Sequence, residues 1–177
     1  MKTIFLLRHA KSSWSDPSTD DFERPLNERG KRNAAQIGTY LAENSILPDV
    51  ILCSPAARAQ ETLSLIRPYL PENQTFMVNN ELYLASAVTI LKFIEQVKET
   101  ASSVMIIAHN PGLHELALNL AGRKNIGVSP LLNRVMQKYP TGALALAICE
   151  TQNWANLTQN PSSLVDFVCP EDLPPVI

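Results

Sequence analysis

The sequence has no marked excess of charge of one sign. Its 15 lysines and arginines face 17 aspartates and glutamates, which leaves a net charge of −2 at pH 7. Domains that bind nucleic acid or an anionic membrane through their overall charge are strongly basic. The composition therefore argues against nucleic acid and an anionic membrane as partners. It is still compatible with a local cluster of positive charge.

Long apolar runs and paired cysteines are missing as well. No stretch approaches the roughly 20 apolar residues of a membrane-spanning helix. The apolar run before Arg8 is also too short for the apolar region of a signal peptide. The three cysteines are odd in number and lack the spacing of a metal site. We therefore expect reduced cysteines, a cytoplasmic location and no membrane partner.

The chain is long enough to bury a sizeable core. It has 177 residues, of which 45% are hydrophobic, and this share is ordinary for a globular protein. The sequence contains no internal repeat, low-complexity segment or clear linker. These features predict a single domain that covers residues 1–177.

Apolar runs alternate with amphipathic segments along the chain. Apolar runs predict strands that begin at Thr3 and that cover residues 49–53, 75–78, 103–108, 143–149 and 164–168. Apolar residues at three- and four-residue spacing predict helices within residues 27–44, 54–67, 88–97 and 113–120. Strands that alternate with helices predict a three-layer α/β/α sandwich with a largely parallel central sheet.

Two of the predicted helices begin at recognisable caps. Asn27 is a suitable N-cap, and Ser54 followed by Pro55 combines a hydroxyl cap with proline at the first helical position. Residues 10–26 are largely polar and are interrupted by Pro17 and Pro25. This pattern is typical of a functional or mobile loop. Residues 122–142 have a less regular pattern than the rest of the chain.

Chemically active side chains follow three of the predicted strands. Arg8 and His9 end the first strand, His109 follows the strand at 103–108, and Arg58 lies in the first turn of the helix after 49–53. Right-handed crossovers place every strand-to-helix turn at one edge of the sheet, where open α/β sheets bind their ligands. We therefore expect the two histidines and two arginines to meet.

These residue types suit a phosphoryl group. The guanidinium group of arginine is permanently charged and can donate two parallel hydrogen bonds to phosphate oxygens. A neutral histidine is a nucleophile or general base near pH 7. Ser12 and Asn110, close to the two histidines, add hydrogen-bond donors, and the helix start at Ser54 adds the positive end of a helix dipole. Phosphoryl transfer needs such donors around its oxygens and a nucleophile in line with the leaving group.

Four motifs follow one another within residues 3–120. They are Leu7-Arg8-His9-Ala10, Leu26-Asn27-Glu28-Arg29-Gly30, Ser54-Pro55-x-x-Arg58-x-x-x-Thr62 and Ala108-His109-Asn110-Pro111-Gly112. In this order they resemble the signatures of the histidine phosphatase superfamily, also called the phosphoglycerate-mutase-like family. The last motif has the form typical of SixA-type phosphohistidine phosphatases. The resemblance implies a phosphoglycerate-mutase-like fold and a phosphatase that uses neither a cofactor nor a metal.

The resemblance also implies a role for each matching residue. His9 corresponds to the nucleophile that carries the phosphoryl group as a covalent phosphohistidine. Arg8 and Arg58 correspond to the clamps on the phosphoryl oxygens, and His109 to the fourth member of the pocket. Ser15 stands where many relatives carry an asparagine that binds phosphate.

The general acid is less clearly marked than the phosphate pocket. Many members of the superfamily carry a glutamate or aspartate after the third strand, and Glu81 is the candidate here, although the glycine usual in that context is missing. A solvated loop carboxylate fits Glu81 equally well. A phosphohistidine leaving group has less need of an acid because its P–N bond is labile. This gap therefore favours a phosphohistidine-containing protein as the substrate.

Other functions fit parts of the pattern. A small-molecule phosphomonoesterase would use Glu81 as its acid, and a non-catalytic phospho-ligand binding module would share the clamps but has no use for the nucleophile His9. A metal site built from His9, His109 and Cys53 is disfavoured because the adjacent arginines would repel a cation and no HExxH motif is present.

Overall fold

A computed structural model describes residues 1–122 and 129–176 and contains one mixed β-sheet. Its strands are β1 (Lys2–Arg8), β2 (Val50–Cys53), β3 (Thr75–Val78), β4 (Ser103–Ala108), β5 (Leu144–Cys149) and β6 (Ser162–Val168). Within the described residues the strand order is β3-β2-β4-β1-β5-β6. Strands β3, β2, β4 and β1 run parallel, whereas β5 is antiparallel to both β1 and β6. The prediction of a largely parallel central sheet is confirmed.

Helices cover both faces of the sheet. They are α1 (Glu28–Glu43), α2 (Ala57–Ile66), α3 (Ala87–Glu95), α4 (Gly112–Leu120) and α5 (Pro130–Gln137). Successive side chains of a strand point to opposite faces, so β1 contributes to two cores. Phe5 and Leu7 pack with α1 and α2, whereas Ile4 and Leu6 pack with α3, α4 and α5. The result is the expected three-layer α/β/α sandwich. Throughout 1–122 and 129–176, no helix has the length and apolar character to cross a membrane.

Of the two predicted helix caps, the one at Asn27 is confirmed and the one at Ser54 is wrong. The Asn27 side chain accepts a hydrogen bond from the Gly30 N–H at 2.8 Å, as an N-cap does. The prediction that Ser54 caps the next helix and Pro55 begins it is wrong, because α2 begins at Ala57 after an N-cap at Ala56. The Ser54 hydroxyl instead lies 2.7 Å from a ring nitrogen of His109.

The region predicted to be less regular contains a helix. The Ser129 hydroxyl accepts a hydrogen bond from the Leu132 N–H, and Pro130 occupies the first turn of α5. A hydroxyl cap followed by proline is therefore a correct signal at this position, although the sequence prediction did not use it. Residues 123–128, which that prediction also included, lie outside the described residues.

Gly30 provides a test of how closely the loop after β1 approaches α1. A Cβ at Gly30 would collide with the Lys11 carbonyl, which accepts a hydrogen bond from the Asn27 N–H at 3.0 Å. Alanine ordinarily stabilises a helix relative to glycine by about 0.5–1 kcal/mol. We expect Gly30→Ala to lower the free energy of unfolding by about 1–3 kcal/mol instead, because of the collision. Urea denaturation measures the change.

Arg32→Ala is the matched control, because Arg32 is exposed on the same helix. This substitution should change the free energy of unfolding by no more than about 0.5 kcal/mol. A Gly30→Ala variant that is as stable as the parent would contradict the close approach of Lys11 to the helix.

Candidate active site

The strand register brings the three predicted strand ends together. Arg8 of β1 is the partner of Ala108 in β4, and Cys53 of β2 is the partner of Ile107 in the same strand. The parallel ladders continue one residue further, since the His9 N–H donates to the Ala108 carbonyl at 3.1 Å. The side chains that follow each strand therefore meet at one edge of the sheet, as the crossover argument predicts.

His9 is buried, with 6% of its surface exposed, and is held through both ring nitrogens. Its Nδ1 lies 2.8 Å from the Ala10 carbonyl oxygen. A carbonyl can only accept, so we assign the ring proton to Nδ1. The Arg58 Nε–H donates to His9 Nε2 at 3.3 Å. The Nε2 lone pair therefore points toward the guanidinium that is expected to hold the phosphoryl group.

The surroundings of His9 keep its imidazole uncharged. Burial lowers the pKa of His9 to about 4, the Ala10 carbonyl opposes this shift, and the charges of Arg58 and Arg8 add to it. Burial also lowers the pKa of His109 to about 3, with further contributions from His9 and Arg58. Both rings are thus neutral at pH 7, the form in which an imidazole nitrogen is a nucleophile.

His109 faces His9 and is oriented by Ser54. The centroids of the two rings are 5.0 Å apart, and His109 Nε2 lies 2.7 Å from the Ser54 hydroxyl. His109 Nδ1 is buried and has no hydrogen-bond partner among residues 1–122 and 129–176. When the Ser54 O–H donates to Nε2, Nδ1 carries the proton and is free to donate to a ligand.

Arg58 is held by a carboxylate that the sequence analysis did not single out. Its Nη2 lies 3.0 Å from Asp21 Oδ2, and its Nη1 donates to the Asp21 backbone carbonyl. The Tyr83 hydroxyl donates to the same Oδ2 at 2.7 Å. This hydrogen bond and the nearby Arg58 charge lower the pKa of Asp21, so its carboxylate is ionised at pH 7. The Tyr83 ring also packs edge-on against His109, with centroids 5.6 Å apart.

Arg8 and Asn110 share one anchor on the other side of the site. The Tyr139 carbonyl accepts from Arg8 Nη1 at 2.8 Å and from Asn110 Nδ2 at 3.0 Å. In the described part of the chain, Arg8 Nε and Asn110 Oδ1 are buried without a hydrogen-bond partner. Unpaired buried donors are costly, so the free Arg8 Nε and His109 Nδ1 indicate a site prepared for an acceptor ligand.

Three predicted residues lie outside this contact network. Ser12 is buried, and its backbone forms an isolated antiparallel β-bridge with Leu26. Ser15 is exposed, and its hydroxyl shares a hydrogen bond of 2.9 Å with the Ser13 hydroxyl. Glu81 is exposed in a short turn, and within the described residues its carboxylate makes no hydrogen bond or salt bridge. Their roles in binding or acid catalysis stay predictions.

The site also contains supporting residues that sequence reasoning missed as functional. Thr62 accepts from the Ala10 N–H at 3.0 Å and donates to the Arg58 carbonyl at 2.7 Å, so it connects the segment after β1 to the first turn of α2. Ser54 and Thr62 both lie in the second arginine motif, which was a usable signal. Asp21, Tyr83 and Tyr139 lie outside all four motifs, and no periodicity marks them.

The arrangement combines two guanidinium groups, a neutral imidazole nitrogen and free N–H donors around one point. Such a constellation binds an oxyanion and places a nucleophile against it. In the described ranges, no three histidine, cysteine, aspartate or glutamate side chains cluster as metal ligands. The chemistry that these residues offer is nucleophilic attack on an anionic group.

Comparison with known proteins agrees with the geometry. The family model of the histidine phosphatase superfamily (branch 1) matches residues 4–82. An uncharacterized protein of Mycobacterium tuberculosis is 30% identical over 164 residues, which cover 93% of this chain and 99% of that protein.

Solved structures with similar folds extend the comparison over nearly the whole chain. A SixA protein from Agrobacterium tumefaciens, named for phosphohistidine phosphatase activity, is 30% identical with a TM-score of 0.79 and covers 96% of this chain and 98% of its own. A SixA protein from Nakamurella multipartitia, named likewise, is 25% identical with a TM-score of 0.82 and covers 99% of this chain and 97% of its own. The fold is phosphoglycerate-mutase-like, and the chain belongs to the histidine phosphatase superfamily.

Proposed function

We propose that this protein is a phosphatase that removes phosphoryl groups from phosphohistidine in a protein, through a covalent intermediate on His9. Membership of the superfamily supports the phosphatase activity, and the names of the SixA relatives support the choice of substrate. The observation that carries the proposal is the orientation of His9. Its Nδ1 is committed to the Ala10 carbonyl, so the Nε2 lone pair lies beside Arg58.

In the first step, His9 Nε2 attacks the phosphorus and the bond to the leaving imidazole breaks. Arg8 and Arg58 neutralise the phosphoryl oxygens, and the His109 Nδ1–H donates to one of them. The departing imidazole takes a proton from solvent. Because His9 is already neutral, no base is needed to prepare it for the attack.

In the second step, water attacks the phosphorus of phosphorylated His9. The P–N bond breaks, inorganic phosphate leaves, and the electron pair returns to Nε2. The neutral ring with its proton on Nδ1 is restored. The same clamps serve both steps because the equatorial oxygens occupy the same place in each.

The protonation state of Asp21 also favours a phosphohistidine substrate. Asp21 is ionised because its pKa is lowered, chiefly by the hydrogen bond from Tyr83. Its carboxylate therefore has no proton to give to a leaving group at pH 7. Because Asp21 cannot donate a proton in this state, the arrangement around Arg58 suits a labile P–N bond better than an alkyl phosphate ester.

Replacement of His9 by alanine tests the nucleophile. We expect His9→Ala to lower kcat for a phosphohistidine protein and for an aryl phosphate by at least about 1000-fold, because it removes the attacking nitrogen. Wild-type enzyme quenched during turnover should carry a phosphate that is labile in acid and survives base. The control His114→Gln, in the one histidine outside the site, should keep its activity. A trapped phosphate in His9→Ala would contradict the assignment.

Replacement of Glu81 separates the proposal from a small-molecule phosphomonoesterase. We expect Glu81→Gln to change kcat/KM for a phosphohistidine peptide by less than about twofold, since the leaving imidazole does not depend on this carboxyl group. Alkyl and aryl phosphates should be measured beside it. A loss confined to the alkyl phosphates, whose leaving groups are poor, would identify a phosphomonoesterase that uses Glu81 as its acid.

The protonation of His9 provides a pH test. A histidine with a pKa near 4 takes up its second ring proton mainly below that pH, so the nucleophile should remain neutral at pH 5–6. ¹⁵N NMR of the imidazoles from pH 3.5 to 8 should show His9 with its proton on Nδ1 down to about pH 5. The His9 signals are assigned by their absence in His9→Ala. A titration midpoint near 6.5 would show that the ring is charged under mildly acidic conditions and would contradict the assignment.

A further inference from the structure

A small cleft with a basic lining adjoins the phosphoryl site. It has a volume of about 230 Å³, and its cationic wall consists of Arg8, Lys11, Arg29 and Lys138. We call these four residues and the space between them the basic cleft. Arg8 belongs both to the basic cleft and to the phosphate clamps. An anion in the cleft would therefore lie next to the phosphoryl group of a bound substrate.

The charge of the basic cleft is not balanced by the protein itself. Glu171 is the one carboxylate in its lining, although the whole chain has a net charge of −2. Within residues 1–122 and 129–176, none of the four cations forms a salt bridge, whereas exposed cations elsewhere do, such as Lys31 with Glu28 and Arg134 with Asp172. Neighbouring like charges repel each other, so the arrangement favours the arrival of an anion.

The backbone holds these cations in place. The Lys11 carbonyl accepts from the Asn27 N–H at 3.0 Å, directly before α1, and this contact keeps Lys11 near Arg29. Lys138 directly follows α5, and its N–H donates to the Arg134 carbonyl at 3.2 Å. It precedes Tyr139, whose carbonyl accepts from Arg8 at 2.8 Å. The cleft is thus assembled from three separate segments, each anchored by main-chain hydrogen bonds.

The position of Arg29 is unfavourable for the helix that carries it. Arg29 is the second residue of α1, where the positive end of the helix dipole disfavours a cation. The helix dipole therefore gives no reason for a cation at this position. A negatively charged ligand in the cleft would offset this unfavourable charge.

We propose that the basic cleft binds acidic side chains of the substrate protein beside its phosphohistidine. This inference rests on the proposed function, because it describes how the same site selects among phosphohistidine proteins. The volume suits one or two carboxylate side chains rather than a large organic ligand. Lys11, Arg29 and Lys138 are exposed, so a protein surface can reach them.

The mode of recognition predicts how the rate depends on salt. Charges at the rim of an interface act mainly on the association step and are screened as the ionic strength rises. Arg8 stays committed to the phosphoryl group, whereas Lys11, Arg29 and Lys138 distinguish acidic from neutral surroundings. Preference for acidic substrates should therefore weaken at high salt.

Two synthetic phosphohistidine peptides test this inference. They are identical except that one carries two aspartates near the phosphohistidine where the other carries two asparagines. We expect the wild-type enzyme to prefer the aspartate peptide by about tenfold in kcat/KM at low salt. The double substitution Lys11→Gln and Arg29→Gln should remove the preference, whereas Lys92→Gln, at an exposed lysine of α3, should leave it unchanged.

Two results would overturn the inference: a wild-type enzyme that hydrolyses both peptides equally well, or a preference that survives the double substitution. If neither peptide is hydrolysed while an aryl phosphate is, the proposed function fails by itself. The cleft is then judged by inhibition of aryl phosphate turnover. The unphosphorylated aspartate peptide should inhibit more strongly than its asparagine twin, and only while Lys11 and Arg29 are intact. A small bisphosphate is tested as a third inhibitor. If it inhibits through Lys11 and Arg29 while neither peptide does so, the result contradicts a protein partner.

Discussion

The hydrogen bond from His9 Nδ1 to the Ala10 carbonyl is the contact on which the rest of the site depends. It leaves Nε2 without a proton and turns that nitrogen toward Arg58. Burial then keeps the ring neutral between two positive charges, because a buried imidazolium would lose its hydration and face repulsion as well. The Ala10 N–H is itself held by Thr62 of α2, so the helix that carries Arg58 also helps to position the segment that carries His9.

Two anchors give the arginines fixed places around this ring. Asp21 and Tyr83 hold Arg58, and the Tyr139 carbonyl holds Arg8 together with Asn110. In each case a loop supplies the anchor and a strand end or helix start supplies the cation. The parallel sheet therefore brings the reactive groups together, and the loops decide their orientation.

Ser54 shows how the tertiary structure redirects a local preference. A serine followed by proline favours a helix start, and the same pattern at Ser129 does cap α5. At Ser54 the neighbouring strand brings His109 to within 2.7 Å of the hydroxyl, and α2 begins at Ala57 instead. The difference lies in a contact between residues that are far apart in sequence.

The sequence by itself determined the layered fold and the meeting of His9, Arg58 and His109, because strand and helix periods and the handedness of crossovers are local rules. Asn27 also marked its helix correctly. Only the tertiary structure decided that Asp21 would hold Arg58, that the Tyr139 carbonyl would hold Arg8, and that Lys11 would lie near Arg29. These contacts join loops to distant segments, and loops carry no periodic pattern that would show in advance which segments they meet.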